Sequence, residues 1–336
     1  MKQIALTSLY KDRIENVKKS GIKNKKFSPD SIDITKTFSS FQKDNKRFTN
    51  EILGFMRLLE NPSFVKSQEN WLRRKLKETP DLENRFLVRF PDEFSDYDSL
   101  RDVFLEIQEK AGMERFYVFF GISESEISIS KYIKNLDKKK HTLVFDMSMK
   151  FEVLKPIVEK YIDSFEIIFL YRNWDEFKEN FSFVIRQAQK NPDVLHMAFV
   201  PVDINAYGNK NIFSTLLICN GFKSVSLIDT EFKKFFFKWK NPRRVKSHQE
   251  KADETRWVNE KVMSYDDKHN PNCSCFGKDK TAKQVMKDCG IKEAVTHHNL
   301  EVLSDVYTKA KTNQKFKEEL LNLESIKSLS VYLKLQ

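Results

Sequence analysis

The stretch Asn272 to Leu300, NCSCFGKDKTAKQVMKDCGIKEAVTHHNL, carries Cys273, Cys275 and Cys289, three of the 4 cysteines in the chain, and then the pair His297 and His298. Thiolate and imidazole are the ligands of a closed, tetrahedral zinc shell. One cysteine here would read as a buried thiol. A Cys-x-Cys with a third thiol and two histidines downstream has the ligand types and spacing of a structural Zn2+ site.

Carboxylates make a second constellation. Asp146 follows TLVF, Asp203 follows FVPV and Asp229 follows SLI. Each closes a short apolar run of the kind that forms a buried strand, and carboxylates at the carboxyl ends of parallel strands point into the mouth where α/β folds place their chemistry. Taken singly, each reads equally well as a turn or cap residue. Three in the same topological position indicate a site. A third constellation is Phe232 to Lys246, FKKFFFKWKNPRRVK, in which Lys233, Lys234, Lys238, Lys240, Arg243, Arg244 and Lys246 alternate with Phe235, Phe236, Phe237 and Trp239. Such a segment suits a nucleic-acid strand, with phosphates on the cations and bases stacked on the rings. It also suits an element whose aromatics face the core and whose lysines face water.

The elements that must position these groups follow from the pattern of the chain. From residue 86 onward, short apolar runs alternate with amphipathic stretches. Phe86–Phe90, Phe116–Ile122, Thr142–Phe145, Phe165–Tyr171, Met197–Val202 and Val225–Ile228 read as strands, and Ser99–Ala111, Phe151–Ser164 and Trp174–Gln189 as helices. Strands buried on both faces and alternating with helices predict a parallel sheet in an α/β fold, as a barrel or a doubly wound sheet. Residues 1–60 read as polar and helical or loop-like, with a basic run from Lys18 to Lys26. Phe48–Leu59 and Trp71–Lys77 have helical character. The expected organisation is a mostly helical region over 1–85, the α/β catalytic region over 86–262, a zinc-binding subdomain over 263–311 and a C-terminal helix over 312–336.

Composition narrows the partners. A net charge of +11 calls for a polyanion, nucleic acid first and an anionic membrane surface second. No apolar run spans a bilayer, and the opening residues do not form a secretory signal, so no membrane association is expected. Only 4 cysteines, three of them in a metal-like cluster, point to a reducing, cytoplasmic compartment, or host cytoplasm for a phage-encoded chain. Only 8 glycines are present, which argues against a phosphate cradle built from a glycine-rich loop.

These residues carry a family resemblance. The zinc stretch is similar to the signature of the tRNA-guanine transglycosylase superfamily, in which a Cys-x-Cys-x-x-Cys cluster precedes a helix and a His-Asn-Leu whose histidine is the fourth ligand. Cys273-Ser274-Cys275 and His298-Asn299-Leu300 match, as does an amphipathic helix over Glu301–Lys311. The third cysteine of the pattern falls on Lys278; Cys289 is the favoured substitute, with His297 or His269 as alternatives. Leu227-Ile228-Asp229-Thr230 resembles the strand end that bears the family's nucleophilic aspartate. Phe145-Asp146-Met147-Ser148 is a degenerate form, without its glycine, of the turn that bears the second aspartate. The separation of Asp146 and Asp229 is shorter than the family usually shows.

The resemblance implies a TIM-like (β/α) barrel with a small zinc-binding subdomain near the C-terminus. It also implies base exchange, with Asp229 attacking C1′ to form a covalent glycosyl-enzyme and Asp146 as acid/base. Asp203, Lys238, Lys240, Arg243 and Arg244 would bind substrate, and Cys273, Cys275, Cys289 and His298 would hold Zn2+. The partners would be nucleic acid and a 7-deazaguanine base, with a homodimer as the expected assembly. DNA is favoured over tRNA, because the chain ends soon after the zinc helix and leaves no room for an appended RNA-binding domain. From a different class, the alternative is a non-catalytic, zinc-stabilised nucleic-acid-binding protein or partner subunit. A nuclease site at His297-His298-Asn299 has no other support in the sequence.

Overall fold

A computed structural model of the chain describes residues 4–7, 31–37, 60–78, 80, 83–89, 96–171, 177–199, 210–227, 307–322 and 324–335. The fold is mixed α/β with parallel strand pairing. The chain divides into two compact units, one holding Ser31–Ala206 with Phe222–Ser224 and the other holding Met1–Asp30, Tyr207–Gly221 and Val225–Gln336.

The unit built on Ser31–Ala206 contains the strands β2 (Ser31–Thr37), β3 (Glu83–Arg89), β4 (Phe116–Phe120), β5 (His141–Asp146), β6 (Ile167–Tyr171) and β7 (Leu195–Phe199). Between them run α1 (Pro62–Glu78), α2 (Tyr97–Ala111), α3 (Glu126–Ile133), α4 (Phe151–Tyr161) and α5 (Lys178–Lys190). β2 pairs with β3, and β4, β5, β6 and β7 pair each with the next, all parallel. β3 also lies against β4, and helices adjacent in sequence touch one another: α1 on α2, α3 on α4, α4 on α5.

Why these segments become strands is plain in their composition. FYVFF, HTLVFD and IIFLY are β-branched and aromatic runs buried along nearly their whole length, as a parallel sheet covered on its faces requires. Phe120 stacks on Phe145 at 5.1 Å between ring centres, and Phe145 reaches Phe169 at 6.3 Å, so aromatic contact crosses three consecutive strands. Phe104 of α2, fully buried, meets Phe86 of β3 at 6.2 Å and Phe119 of β4 edge-on at 5.7 Å. Helix ends are set locally. The Asp96 carboxylate caps α2 by accepting from the Ser99 N–H, and Gly112 closes that helix with a left-handed φ of 89°.

In the second unit β1 (Ile4–Thr7) pairs in parallel with β8 (Ser224–Leu227) through Ile4↔Val225 to Leu6↔Leu227. There α6 (Lys210–Cys219) packs on α7 (Gln314–Leu321) and α8 (Glu324–Tyr332). The residues expected to form one C-terminal helix over 312–336 thus form two. Asn322 ends the first, a residue that competes for its own backbone and extends helices poorly.

Only part of the first 85 residues is described. Among the described residues there, besides the expected helix, now α1, the structure shows the strands β1 and β2 and the start of β3, which the sequence pattern did not indicate. β2 escapes the search for apolar runs because SIDITKT alternates polar and apolar residues, and one of its polar residues, Asp33, is fully buried. Phe48–Leu59 lies outside the described residues. Among the described residues no helix is long and apolar enough to cross a membrane.

Candidate active site

β4 to β7 pair in parallel, so their carboxyl ends share one side, and Asp146 is there. It is the last residue of β5, paired in register with Leu170 of β6. The turn that follows is pinned from α5, where the buried Asn180 side-chain amide donates to the carbonyls of Met147 at 2.7 Å and Met149 at 2.8 Å. The carboxylate itself is 7% exposed. Its Oδ1 accepts from the Ser148 N–H at 2.8 Å and from the Ser148 hydroxyl; its Oδ2 accepts from Arg89 Nε at 2.5 Å. Arg89 ends β3, so this contact joins the ends of two strands that are 57 residues apart in the chain.

A small hollow, with room for about one water molecule, lies at these strand ends. Val88 and Arg89 of β3, Phe119 and Phe120 of β4 with Gly121 and Ile122 after it, Val144 and Asp146 of β5 and Leu170 of β6 line it. The walls are apolar, and the polar edge is the Asp146–Arg89 pair.

The wall after β4 is held firmly. Glu124 turns back to accept the Gly121 N–H, and both its oxygens accept from Nη1 of the fully buried Arg101 at 2.7 Å. Burial pushes the Glu124 carboxyl up, against the pull of Arg101. Arg101 also donates to Asp98 and lies over the rings of Tyr132 at 4.2 Å and Phe120 at 5.0 Å. Gly121 is required by close approach, since a Cβ there would come within 2.0 Å of the Tyr97 ring, which is fixed by a 3.0 Å hydrogen bond to Ser123.

A second polar cluster sits toward the amino ends of the same strands. Arg85 of β3 donates through Nε to Asp33 of β2 at 2.6 Å, and through Nη1 to Ser224 Oγ at 3.0 Å and His196 Nδ1 at 3.2 Å. A guanidinium can only donate, so His196 Nδ1 is an acceptor and the imidazole is neutral with its proton on Nε2. The Ser224 hydroxyl then donates to Nδ1 at 2.6 Å, and Nε2 faces Glu166 at 3.4 Å. Burial first, then the cations Arg85 and Lys223, hold the His196 pKa well below its usual value. A serine, a histidine and a glutamate in sequence resemble a hydrolytic triad. Two features speak against one. Ser224 is 2% exposed, and Glu166 is already engaged by Arg115 and Lys223.

Of the residues singled out in the sequence, Asp146 is placed where expected, at a strand end beside a hollow. Asp203, Asp229, Lys238, Lys240, Arg243, Arg244, Cys273, Cys275, Cys289 and His298 lie outside the described residues. Among the described residues no group of His, Cys, Asp and Glu is arranged to hold a metal ion. The remaining cysteine, Cys219 on α6, is buried, and burial pushes its thiol up to about 12. Sequence reasoning missed Arg89. Its signal was an arginine inside FLVRF, a run read as buried, where a cation requires a partner.

No family model matches the chain, and neither the curated proteins nor the solved structures contain a match to it.

Proposed function

We propose that the chain is a base-exchange transglycosylase that replaces guanine in nucleic acid, DNA in preference to tRNA, with a 7-deazaguanine through a covalent aspartyl-glycosyl intermediate. The observation that carries this reading is the buried Asp146 carboxylate, fixed at the carboxyl end of β5 beside an apolar hollow. Proton transfer to a leaving purine needs such a group, held within hydrogen-bond reach of a ring nitrogen and shielded from water. Asp229 is the nucleophile in this reading. As its carboxylate bonds to C1′ and the C1′–N bond breaks, Asp146 enters as the carboxylic acid and gives its proton to the departing base; the carboxylate so formed, the state that Arg89 pairs with, takes a proton from the incoming base.

The reading includes a (β/α) barrel. In its support, β4 to β7 follow chain order without the reversal that a doubly wound sheet has at its switch point, and β3 lies against β4. Lys238, Lys240, Arg243 and Arg244 would grip phosphates, with Asp203 at the substrate. Zn2+ would be structural, bound by Cys273, Cys275, Cys289 and His298, whose sulfur and nitrogen donors suit it. Metal analysis should return one zinc per chain. The cytoplasm is the compartment proposed, and a homodimer the assembly.

The test is incorporation of labelled guanine into duplex DNA or tRNA. Asp229→Asn should lose exchange by several orders of magnitude while still binding nucleic acid, and should fail to form the denaturation-resistant adduct that the unaltered protein forms with a 7-deazaguanine analogue. Full exchange by Asp229→Asn would refute the assignment. One feature favours the non-catalytic alternative: each Asp146 oxygen already has a protein partner. If the unaltered protein binds DNA without exchanging or trapping any base, that alternative stands.

A further inference from the structure

The turn that carries Asp146 is fixed through its backbone and its side chain separately. Asn180 holds the carbonyls of Met147 and Met149, and the Met147 N–H donates to the Leu170 carbonyl at 2.8 Å, so three hydrogen bonds tie down the backbone after β5. The carboxylate can still rotate about its own bonds. Ser148 holds Oδ1, and Arg89 holds Oδ2 from across the hollow, 2.5 Å away on a different strand. With one oxygen held by the turn that follows β5 and the other by a residue of β3, the plane of the carboxylate is defined.

We propose that Arg89 is the positioning residue of Asp146, acting on the reaction by holding that carboxylate toward the hollow rather than by touching the reacting atoms. The inference rests on the base-exchange reading for its chemistry, but the contact it invokes is in the structure. An acid/base displaced by about 1 Å loses on the order of a hundredfold in rate, and Arg89 supplies the restraint that prevents this. Lysine is no full substitute. It keeps the charge but presents a mobile ammonium where arginine presents a planar, preoriented N–H.

The experiment compares the unaltered protein with Arg89→Gln, Arg89→Lys, Asp146→Asn and the double variant Asp146→Asn/Arg89→Gln, measuring both base exchange and urea unfolding. Arg89→Gln should lower kcat by about a hundredfold while leaving KM for the nucleic acid nearly unchanged, because the lost interaction serves the transition state rather than binding. Arg89→Lys should recover part of that loss. The double variant should be no slower than Asp146→Asn alone, since a residue that acts through another has nothing left to act on. A further loss of the same size when Arg89→Gln is added to Asp146→Asn, or a raised KM with kcat intact, overturns the proposal by showing that Arg89 meets substrate directly.

The unfolding measurements keep the two claims apart. Across the cycle the unfolding constants of Arg89 and Asp146 variants should be coupled by at least about fivefold, as contacting charged pairs are. If they are not coupled, Arg89 does not hold Asp146 and the inference falls whatever the activity. If the unaltered protein exchanges no base into DNA or tRNA, the base-exchange reading falls, and the coupling still decides whether Arg89 fixes the carboxylate.

Discussion

The two ends of the larger unit hold the same chemical pair, an aspartate bound by an arginine of β3, and use it in opposite ways. Arg85 and Arg89 are four residues apart on one strand and so share a face. At the amino end Asp33 is fully buried, and Arg85 is shared among Asp33, Ser224 and His196. At the carboxyl end Asp146 faces a hollow, held by its own turn and by one arginine. The first arrangement spends its polar groups on each other; the second forms the polar edge of a small hollow at the strand ends. Pairing alone therefore says little about function. What differs is what borders the pair, Ser224 and His196 at one end and an apolar-walled hollow at the other.

That contrast can be broken most directly by cutting each pair. Arg85→Met strands Asp33 in the interior and should cost about 3–5 kcal/mol in urea unfolding, the penalty for one partner of a buried ion pair left alone. Arg89→Met should cost less, about 1–3 kcal/mol, because water can enter the hollow and solvate Asp146. Equal losses would mean that the carboxyl end is as closed as the amino end.

His196 sharpens the comparison through pH. Its folded pKa lies well below the ordinary 6.5. As pH falls below that value the unfolded chain takes up a proton that the folded one refuses, so stability is undiminished above pH 6.5 and declines as pH drops towards the folded pKa. The decline from this group approaches about 1.4 kcal/mol per pH unit. Unfolding measured at about pH 7.5 and about pH 5.5, either side of the ordinary histidine pKa, should show a slope that His196→Asn reduces, whereas Asp146→Asn should leave that part of the slope unchanged.

The smallest effect belongs to a position outside both ends. Ile127 on α3 is 82% exposed, and Ile127→Ser should change stability by less than about 0.5 kcal/mol, as surface substitutions do. A larger loss would indicate that α3 is covered by a partner.

How much of this was legible in the sequence depends on which face of a strand carried the signal. β4, β5 and β6 were visible because FYVFF, TLVF and IIFLY are apolar on both faces, and Asp146 was visible because it ends such a run. β2 was hidden because Asp33, Thr35 and Thr37 alternate with its apolar residues, and its burial depends on an arginine 52 residues away. His196 and Ser224 look unremarkable in LHMAF and SVSL. Their roles come from contacts that only the folded chain makes. The zinc, nucleophile and phosphate-binding assignments rest on resemblance and donor chemistry.

The order of strand pairing has one further consequence, for assembly. From β4 to β7 each strand pairs with the one that follows it in the chain, so every new pairing closes a loop no longer than a single helical crossover. Loop closure costs entropy that grows with the length closed, and proteins rich in near-neighbour pairings reach their native state faster. This part of the chain can therefore add one crossover at a time as it leaves the ribosome, each strand finding a template already in place. The Arg85–Asp33–His196 cluster cannot form that way. It draws on residues from position 33 to position 224 and closes only when the last of them has arrived, which makes it a late checkpoint on a fold whose middle assembles early.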